Sequence, residues 1–334
     1  MGSIRTAVVG AGKMGAIHAK VYSELPNCRL VGVVDVRPDR ARQLAEQYNC
    51  EALGDARELL GKVDAVTIAA PTLEHLSLAK LFIENGIAVM IEKPLAATVV
   101  QARQVVSLAR KHRAVVAVGH SERCNPVVQA MKRLNIEPKF IEANRVSPYP
   151  FRSVDVGVVL DVMIHDIDII LSLAASPVKK LDAVGLSVIG EHEDICNARI
   201  VFDNGCIANV TASRLALKTE RKVRVFSRQA YLSVDYLKKQ GIVIKAESNV
   251  DIVKWIRQHQ QSADFDFRQL NWENLLHVEQ LDVDDKEPLR LEQEAFLRAV
   301  ADRSARPEVT AEEGLAAMKC AEQILAAIKK HRWD

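Results

Sequence analysis

Short runs of β-branched and aliphatic residues alternate with amphipathic stretches along the first third of the chain. The runs at 5–9, 30–34, 65–68, 88–91 and 115–118 are apolar almost without interruption. Strands of that kind are covered on both faces, which is the pattern of a parallel sheet with crossover helices. The periodic stretches between them predict helices over 38–48, 72–85 and 98–112. Pro38 suits a first helical position, Gly86 closes the second helix and Thr98 caps the third. The N-terminal domain, 1–122, is therefore expected to be doubly wound α/β.

From about residue 125 the polarity alternates instead, in runs at 140–145, 181–188, 198–202, 206–213, 223–226 and 231–234. Alternation means one buried and one wetter face, so the domain over 123–334 is read as α+β with a mostly antiparallel open sheet. Asp203-Asn204-Gly205 signals a hairpin, with Asn-Gly expected to supply the positive φ angles of a primed turn. One helix is expected over 161–173 and two more over 288–301 and 310–331, the last opened by a capping box of Thr310 and Glu313 and free to pack back on the first domain. The polar stretch 247–287 reads as loops, short strands or one short helix.

Charge and cysteine usage narrow the function. The 45 basic and 43 acidic residues of the 334 leave a net charge of +2, scattered rather than striped, so the expected partner is a small molecule and not nucleic acid. No apolar run approaches the ~18 residues of a membrane span, and no signal-peptide core is present. Six dispersed cysteines without a CxxC pair argue against a zinc ribbon or a disulfide framework. Reduced thiols and a cytoplasmic location are expected.

The first chemical motif is Gly10-Ala11-Gly12-Lys13-Met14-Gly15, a GxGxxG placed directly after a strand and before a helix. Gly10 permits the tight turn, Gly12 lets backbone approach a pyrophosphate, and Gly15 lets helix and strand pack closely. Lys13 and Met14 lie at the helix N-terminus, whose free N–H groups attract an anion. Asp35 ends the second strand, twenty residues past Gly15, where a carboxylate accepts hydrogen bonds from the ribose hydroxyls. The same carboxylate repels a 2′-phosphate, so NAD is expected over NADP. Arg37 either pairs with that phosphate or is an exposed loop cation.

In such a sheet ligands bind beyond the carboxyl ends of the strands, which directs attention to three segments. Ala70-Pro71-Thr72 is followed by His75, which is either a cofactor contact or a partly exposed helix residue. Glu92-Lys93-Pro94 puts a lysine near the expected nicotinamide, as a proton donor or electrostatic stabiliser, or else in a structural ion pair with Glu92. The third segment, 119–126, contains His120, Arg123 and Asn125. Farther on, Asp161, His165 and Asp168 fall at i, i+4 and i+7 and would share one helix face. A carboxylate one turn before a histidine can orient the imidazole as a base for an alcohol proton. A satisfied buried histidine is the competing reading. A metal site lacks a third spaced ligand, and none is assigned.

Taken in order, Gly10 to Gly15, Asp35, Ala70-Pro71-Thr72, Glu92-Lys93-Pro94, Gly157, Asp161, His165 and Asp168 resemble the Gfo/Idh/MocA oxidoreductases, the family of glucose-fructose oxidoreductase and inositol dehydrogenase. The resemblance implies a Rossmann domain followed by a sheet domain for substrate and oligomer contacts. It also implies a Lys-Asp-His catalytic trio, here Lys93, Asp161 and His165, and a cis peptide at Lys93-Pro94. Gly157-Val158 departs from the usual glycine pair, which loosens the expected loop shape. Segments 119–126 and 163–170 look most like the branch that oxidises C3 of UDP-N-acetylglucosamine. A diphosphate substrate calls for arginines, and Arg123, Arg145, Arg152 and Arg214 are the candidates, each with an ordinary surface cation as the competing reading.

Three readings follow. The first is an NAD-dependent dehydrogenase of a nucleotide sugar, assembled as a homodimer or homotetramer. The second is the same chemistry on a free sugar or inositol-type polyol. The third, of another class, is a non-catalytic NAD-binding sensor or scaffold.

Overall fold

The structure is a computed structural model that describes residues 3–149, 156–259 and 276–331. The chain divides into two compact units, Met1–Cys124 with Lys286–Glu322, and Asn125–Asp285 with Gln323–Asp334.

In the first unit β1 (Ile4–Val9), β2 (Cys28–Val34), β3 (Glu51–Leu53), β4 (Ala65–Ile68), β5 (Ala88–Glu92) and β6 (Val116–Gly119) form one parallel sheet in the order β3-β2-β1-β4-β5-β6. Successive residues feed two separate cores. Ala7, Val9, Val66, Ile68, Val89 and Ile91 join one, and Val8, Ala65, Ala88 and Met90 join the other. That is why these strands read as unbroken apolar runs. Four helices connect them, α1 (Lys13–Glu24), α2 (Pro38–Tyr48), α3 (His75–Glu84) and α4 (Val99–His112). The Thr98 hydroxyl accepts from Gln101 N–H at the start of α4, as the cap predicts. Two departures are local. The edge strand β3 is too short to leave a pattern, and the expected helix over 72–85 opens with a 3-10 turn at Thr72–Glu74.

The second unit holds an eight-stranded sheet. Its strands are β7 (Phe140–Val146), β8 (Val178–Leu186), β9 (Ile195–Phe202), β10 (Ile207–Ser213), β11 (Glu220–Phe226), β12 (Ala230–Asp235), β13 (Gln240–Lys245) and β14 (Glu279–Gln280). The order is β14-β13-β12-β11-β7-β10-β9-β8, with the β7–β10 pair parallel and the others antiparallel. One face buries Ala143, Ala198, Ile200, Val210, Val225 and Leu232, and helices α5 (Pro126–Arg133) and α6 (Ile164–Ala174) pack against strands of this sheet. The other face carries half-exposed polar pairs such as Glu142 with Arg224, and a tilted aromatic row of Phe140, Phe226 and Tyr231.

The Asp203-Asn204-Gly205 hairpin forms, with a different turn from the one expected. Only Gly205 has positive φ, at 81°, and the Asn204 carboxamide oxygen accepts from Cys206 N–H instead. A three-residue loop with one left-handed glycine replaces the two-residue primed turn. The unassigned stretch 247–287 contains α7 (Val250–His259) and β14, with 260–275 outside the described residues.

The C-terminal helices α8 (Pro288–Ala301) and α9 (Ala311–Lys330) follow. Phe296 and Leu289 of α8 join the α1-side core, and Leu315 and Met318 of α9 join the core of α3 and α4. The Thr310–Glu313 capping box is formed in both directions. Among the described residues no helix is long and apolar enough to cross a membrane.

Candidate active site

The turn after β1 needs glycine at two positions for reasons of space. Gly10 has φ +103°, and a Cβ there would lie 2.5 Å from the Ala69 carbonyl oxygen. A Cβ on Gly15 would overlap the Gly10 carbonyl, which stops helix and turn from closing together. Gly12 is the opposite case. Nothing lies within 4 Å of where its Cβ would be, and α1 starts there without a side-chain cap. The amides of Lys13, Met14 and Gly15 have no intrahelical acceptor, so the helix offers an uncapped, electropositive end beside Gly12. That cradle fits the pyrophosphate of a dinucleotide.

Asp35 follows β2. Its two carboxylate oxygens accept from Ala11 N–H at 2.7 Å and from Arg37 N–H at 2.8 Å. The carboxylate is thereby fixed beside the glycine-rich turn by backbone alone, while Arg37 itself is exposed. Pro71 is exposed and Thr72 half-buried beyond β4.

His75 is buried, with Nδ1 2.9 Å from the Pro94 carbonyl and Nε2 3.0 Å from the Ala70 carbonyl. It is not a partly exposed helix residue. It ties the loop after β4 to the loop after β5. Burial pushes its imidazole below the ordinary histidine range, against the two carbonyls, which favour the doubly protonated ring.

Glu92 ends β5 and is almost wholly buried, Lys93 is half-buried, and the Lys93–Pro94 peptide is cis, as the family resemblance implies. After β6, His120 and Arg123 are buried, and Arg123 Nη1 lies 3.4 Å from Glu313. Burial raises the Glu313 pKa, but the Thr310 amide, Arg123 and Arg306 outweigh it and hold the carboxyl below its ordinary range.

In the second unit Asp161 does not sit on a regular α-helix. Val159–Met163 form a π turn that leads into α6, so the expected i, i+4, i+7 face is widened at its first member. Asp161 and His165 are half-buried, and the His165 Nδ1 atom is buried. Asp168 is buried, as is its neighbour Asp166, which takes Arg145 through two bonds of 2.8 and 2.9 Å. The Asn125 side chain accepts from Val127 N–H and caps α5. Arg145, Arg123 and Asn125 therefore have partners inside the fold, a role their spacing does not distinguish from phosphate binding. Arg152 lies outside the described residues.

Sequence reasoning missed what holds the π turn. Glu193, on the β8–β9 connection, accepts from Val159 N–H with its carboxylate and from Val158 N–H with its backbone carbonyl. A Cβ on Gly157 would overlap that carboxylate, so a side chain here would displace Glu193 from the Val159 amide. Next to it, Asp194 is fully buried and accepts from Val188, Ile189 and Gly190 amides and from Arg214 Nε at 2.7 Å. Burial raises the Asp194 pKa, but the Ile189 and Val188 amides and the Arg214 guanidinium outweigh it and bring it to about 2. Arg214 Nη1 also donates to the Val156 carbonyl, just before Gly157. No signal short of three-dimensional proximity connects these residues. Among the described residues no cluster of three metal-ligating side chains occurs.

Lys93 thus belongs to the first unit, with the nucleotide cradle, and Asp161 and His165 to the second. The model of an oxidoreductase family with an NAD-binding Rossmann fold matches residues 4–120, and that of the GFO/IDH/MocA C-terminal domain matches 141–233. The chain is 34% identical over 235 residues to UDP-N-acetylglucosamine 3-dehydrogenase of Acidithiobacillus ferrooxidans, covering 70% of this chain and 74% of that protein. It is 26% identical over 263 residues to myo-inositol 2-dehydrogenase of Thermotoga maritima, covering 73% and 79%. A solved structure of the A. ferrooxidans enzyme superposes with a TM-score of 0.86 at 28% identity, covering 98% of this chain and 99% of that one.

Proposed function

We propose that this chain, which belongs to the Gfo/Idh/MocA oxidoreductase family, oxidises a secondary hydroxyl of a nucleotide sugar with NAD, at C3 of UDP-N-acetylglucosamine or a close analogue. The observation that carries this reading is the alignment of the Gly12 cradle, Asp35 and Lys93 at the carboxyl ends of β1, β2 and β5 in one sheet. The substrate class rests on the likeness to the A. ferrooxidans enzyme.

A nicotinamide held there would supply the hydride acceptor. The α1 amides bind the pyrophosphate, and Asp35 accepts from the ribose hydroxyls. Its charge beside the Ala11 amide disfavours a 2′-phosphate, which supports NAD over NADP. Lys93 donates a hydrogen bond to the reacting oxygen and polarises it. The His165 imidazole takes the hydroxyl proton, and Asp161, four residues earlier, orients the ring. His120, Asp168 and Arg152 remain candidates for sugar contacts. A cytoplasmic homodimer or homotetramer is the assembly we expect.

Initial rates of nicotinamide reduction with UDP-N-acetylglucosamine, inositol and glucose, each with NAD and with NADP, test the reading. The expected leader is UDP-N-acetylglucosamine with NAD. Faster inositol oxidation moves the substrate to a free polyol. Tight NAD binding without turnover on any substrate means a non-catalytic nucleotide-binding protein.

A further inference from the structure

Three polar side chains from distant parts of the first unit meet in its interior beside Lys93. His18, three residues after Gly15 on α1, has no exposed surface, and neither does Gln293 of α8. His18 Nε2 lies 2.8 Å from Glu92 Oε1. Gln293 Nε2 lies 2.9 Å from His18 Nδ1 and 3.3 Å from the His18 carbonyl oxygen. The second Glu92 oxygen accepts from Lys93 N–H at 3.3 Å. Gly119 leaves room for this carboxylate, since a Cβ there would lie 3.0 Å from Oε1.

The geometry fixes the protons. A backbone carbonyl only accepts, so the Gln293 atom that faces the His18 carbonyl is the amide nitrogen. That nitrogen donates to Nδ1 as well, which makes Nδ1 the acceptor. The single imidazole hydrogen therefore sits on Nε2 and is donated to Glu92. The amide of α8 selects the tautomer, the tautomer supplies the donor, and the donor holds one carboxylate oxygen while Lys93 N–H holds the other.

Stability does not account for this chain of groups. Burying a carboxylate, an imidazole and an amide is costly, and apolar residues of similar volume commonly serve a core as well or better. Its place does account for it, because the residue after Glu92 is the proposed polarising lysine.

We propose that His18 is a positioning residue for Lys93, locked as its Nε2–H tautomer by Gln293 and acting through the Glu92 carboxylate. The inference rests on the reading of Lys93 given above. It makes a distinction that bulk polarity cannot make. In His18→Gln the side-chain amide reaches the place of Nε2 and can still donate to Glu92, whereas in His18→Asn it reaches only the place of Nδ1.

The test is turnover of the full chain with NAD and its best sugar substrate, together with NAD affinity and the histidine nitrogen-15 spectrum. His18→Gln is expected to stay near wild-type turnover, and His18→Asn to lose roughly 10- to 100-fold, the scale of a small misplacement of a reacting group, with NAD affinity unchanged. The wild-type spectrum is expected to show a bare Nδ1 and a protonated Nε2 for His18, and Gln293→Leu to mix the two tautomers. Equal turnover of the Gln and Asn variants, or a proton on Nδ1 in the wild type, overturns the proposal. Lys93→Met run alongside separates the two failures. If Lys93→Met is inactive and His18→Asn is not impaired, only the positioning role is wrong. If Lys93→Met is as active as wild type, the reading of Lys93 itself is wrong.

Discussion

The two units hold their chemical groups by different means. In the first, backbone does most of the holding. Asp35 is gripped by two amides, His75 by two carbonyls, and the nucleotide cradle is itself a helix end. In the second, buried ion pairs are added to backbone contacts, with Arg145 on Asp166 and with Arg214 joining three amides on Asp194, and the Glu193 carboxylate takes the amide that starts the π turn. A parallel sheet places strand ends side by side, so its loops can grip a residue locally. In the antiparallel unit the turn at 188–190 grips Asp194 in the same way, but the Asp161 segment is anchored by a side chain more than 30 residues away in sequence.

The comparison is broken most severely at the chemical groups, one from each unit. Lys93→Met and His165→Ala are each expected to lower turnover by roughly 100- to 10,000-fold while NAD still binds. Steady-state rates with a parallel NAD titration check this, and near-normal turnover in either variant removes that residue from the mechanism.

Next in size is the ion-pair anchor of the second unit. Asp194→Asn leaves the Arg214 guanidinium buried beside a neutral amide and is expected to cost about 3–5 kcal/mol, read as a lower thermal midpoint. The sign with pH is fixed by the lowered pKa. The Asp194 contribution is complete above the ordinary value of 3.8 and is lost as pH falls through about 2. Acid unfolding should therefore be shallower in Asp194→Asn than in the wild type.

The glycine-rich turn sharpens the comparison at smaller scale. Gly12→Ala places its Cβ in open space, so the thermal midpoint should hardly move while NAD affinity falls by about tenfold or more, or ~1.4 kcal/mol. Gly15→Ala should lower both, because its Cβ would overlap the Gly10 carbonyl. Equal behaviour of the two variants would remove the distinction between cradle and packing.

The smallest effect is expected at His75. Its imidazole is held below the ordinary range, so the neutral ring contributes stability above about pH 6.5 that is lost as pH falls below it. His75→Gln should flatten that part of the stability profile, measured by denaturant unfolding at several pH values.

What was legible in the sequence follows the same division. Helices α2 and α8 run over the residues their prolines and periodicity indicate, and β4 likewise. The glycine motif and Asp35 were readable because their geometry is set within one strand-turn-helix. Helix α5 is too short to show a clear period, although Asn125-Pro126 carries its start signal, and β13 lies beyond the last clear alternation. The partners of His75, Arg145 and His18 could not be read, since each lies on another element and no periodicity reports it. The π turn was hidden for a similar reason, being stabilised by Glu193 across the unit rather than by its own residues.

The most direct test follows the hydrogen itself. UDP-N-acetylglucosamine carrying deuterium at C3 is incubated with the protein and NAD, and the reduced nicotinamide is analysed by mass spectrometry. The account predicts deuterium in the reduced cofactor and a 3-keto sugar nucleotide. Reduced cofactor without deuterium, or deuterium retained on the sugar, contradicts it.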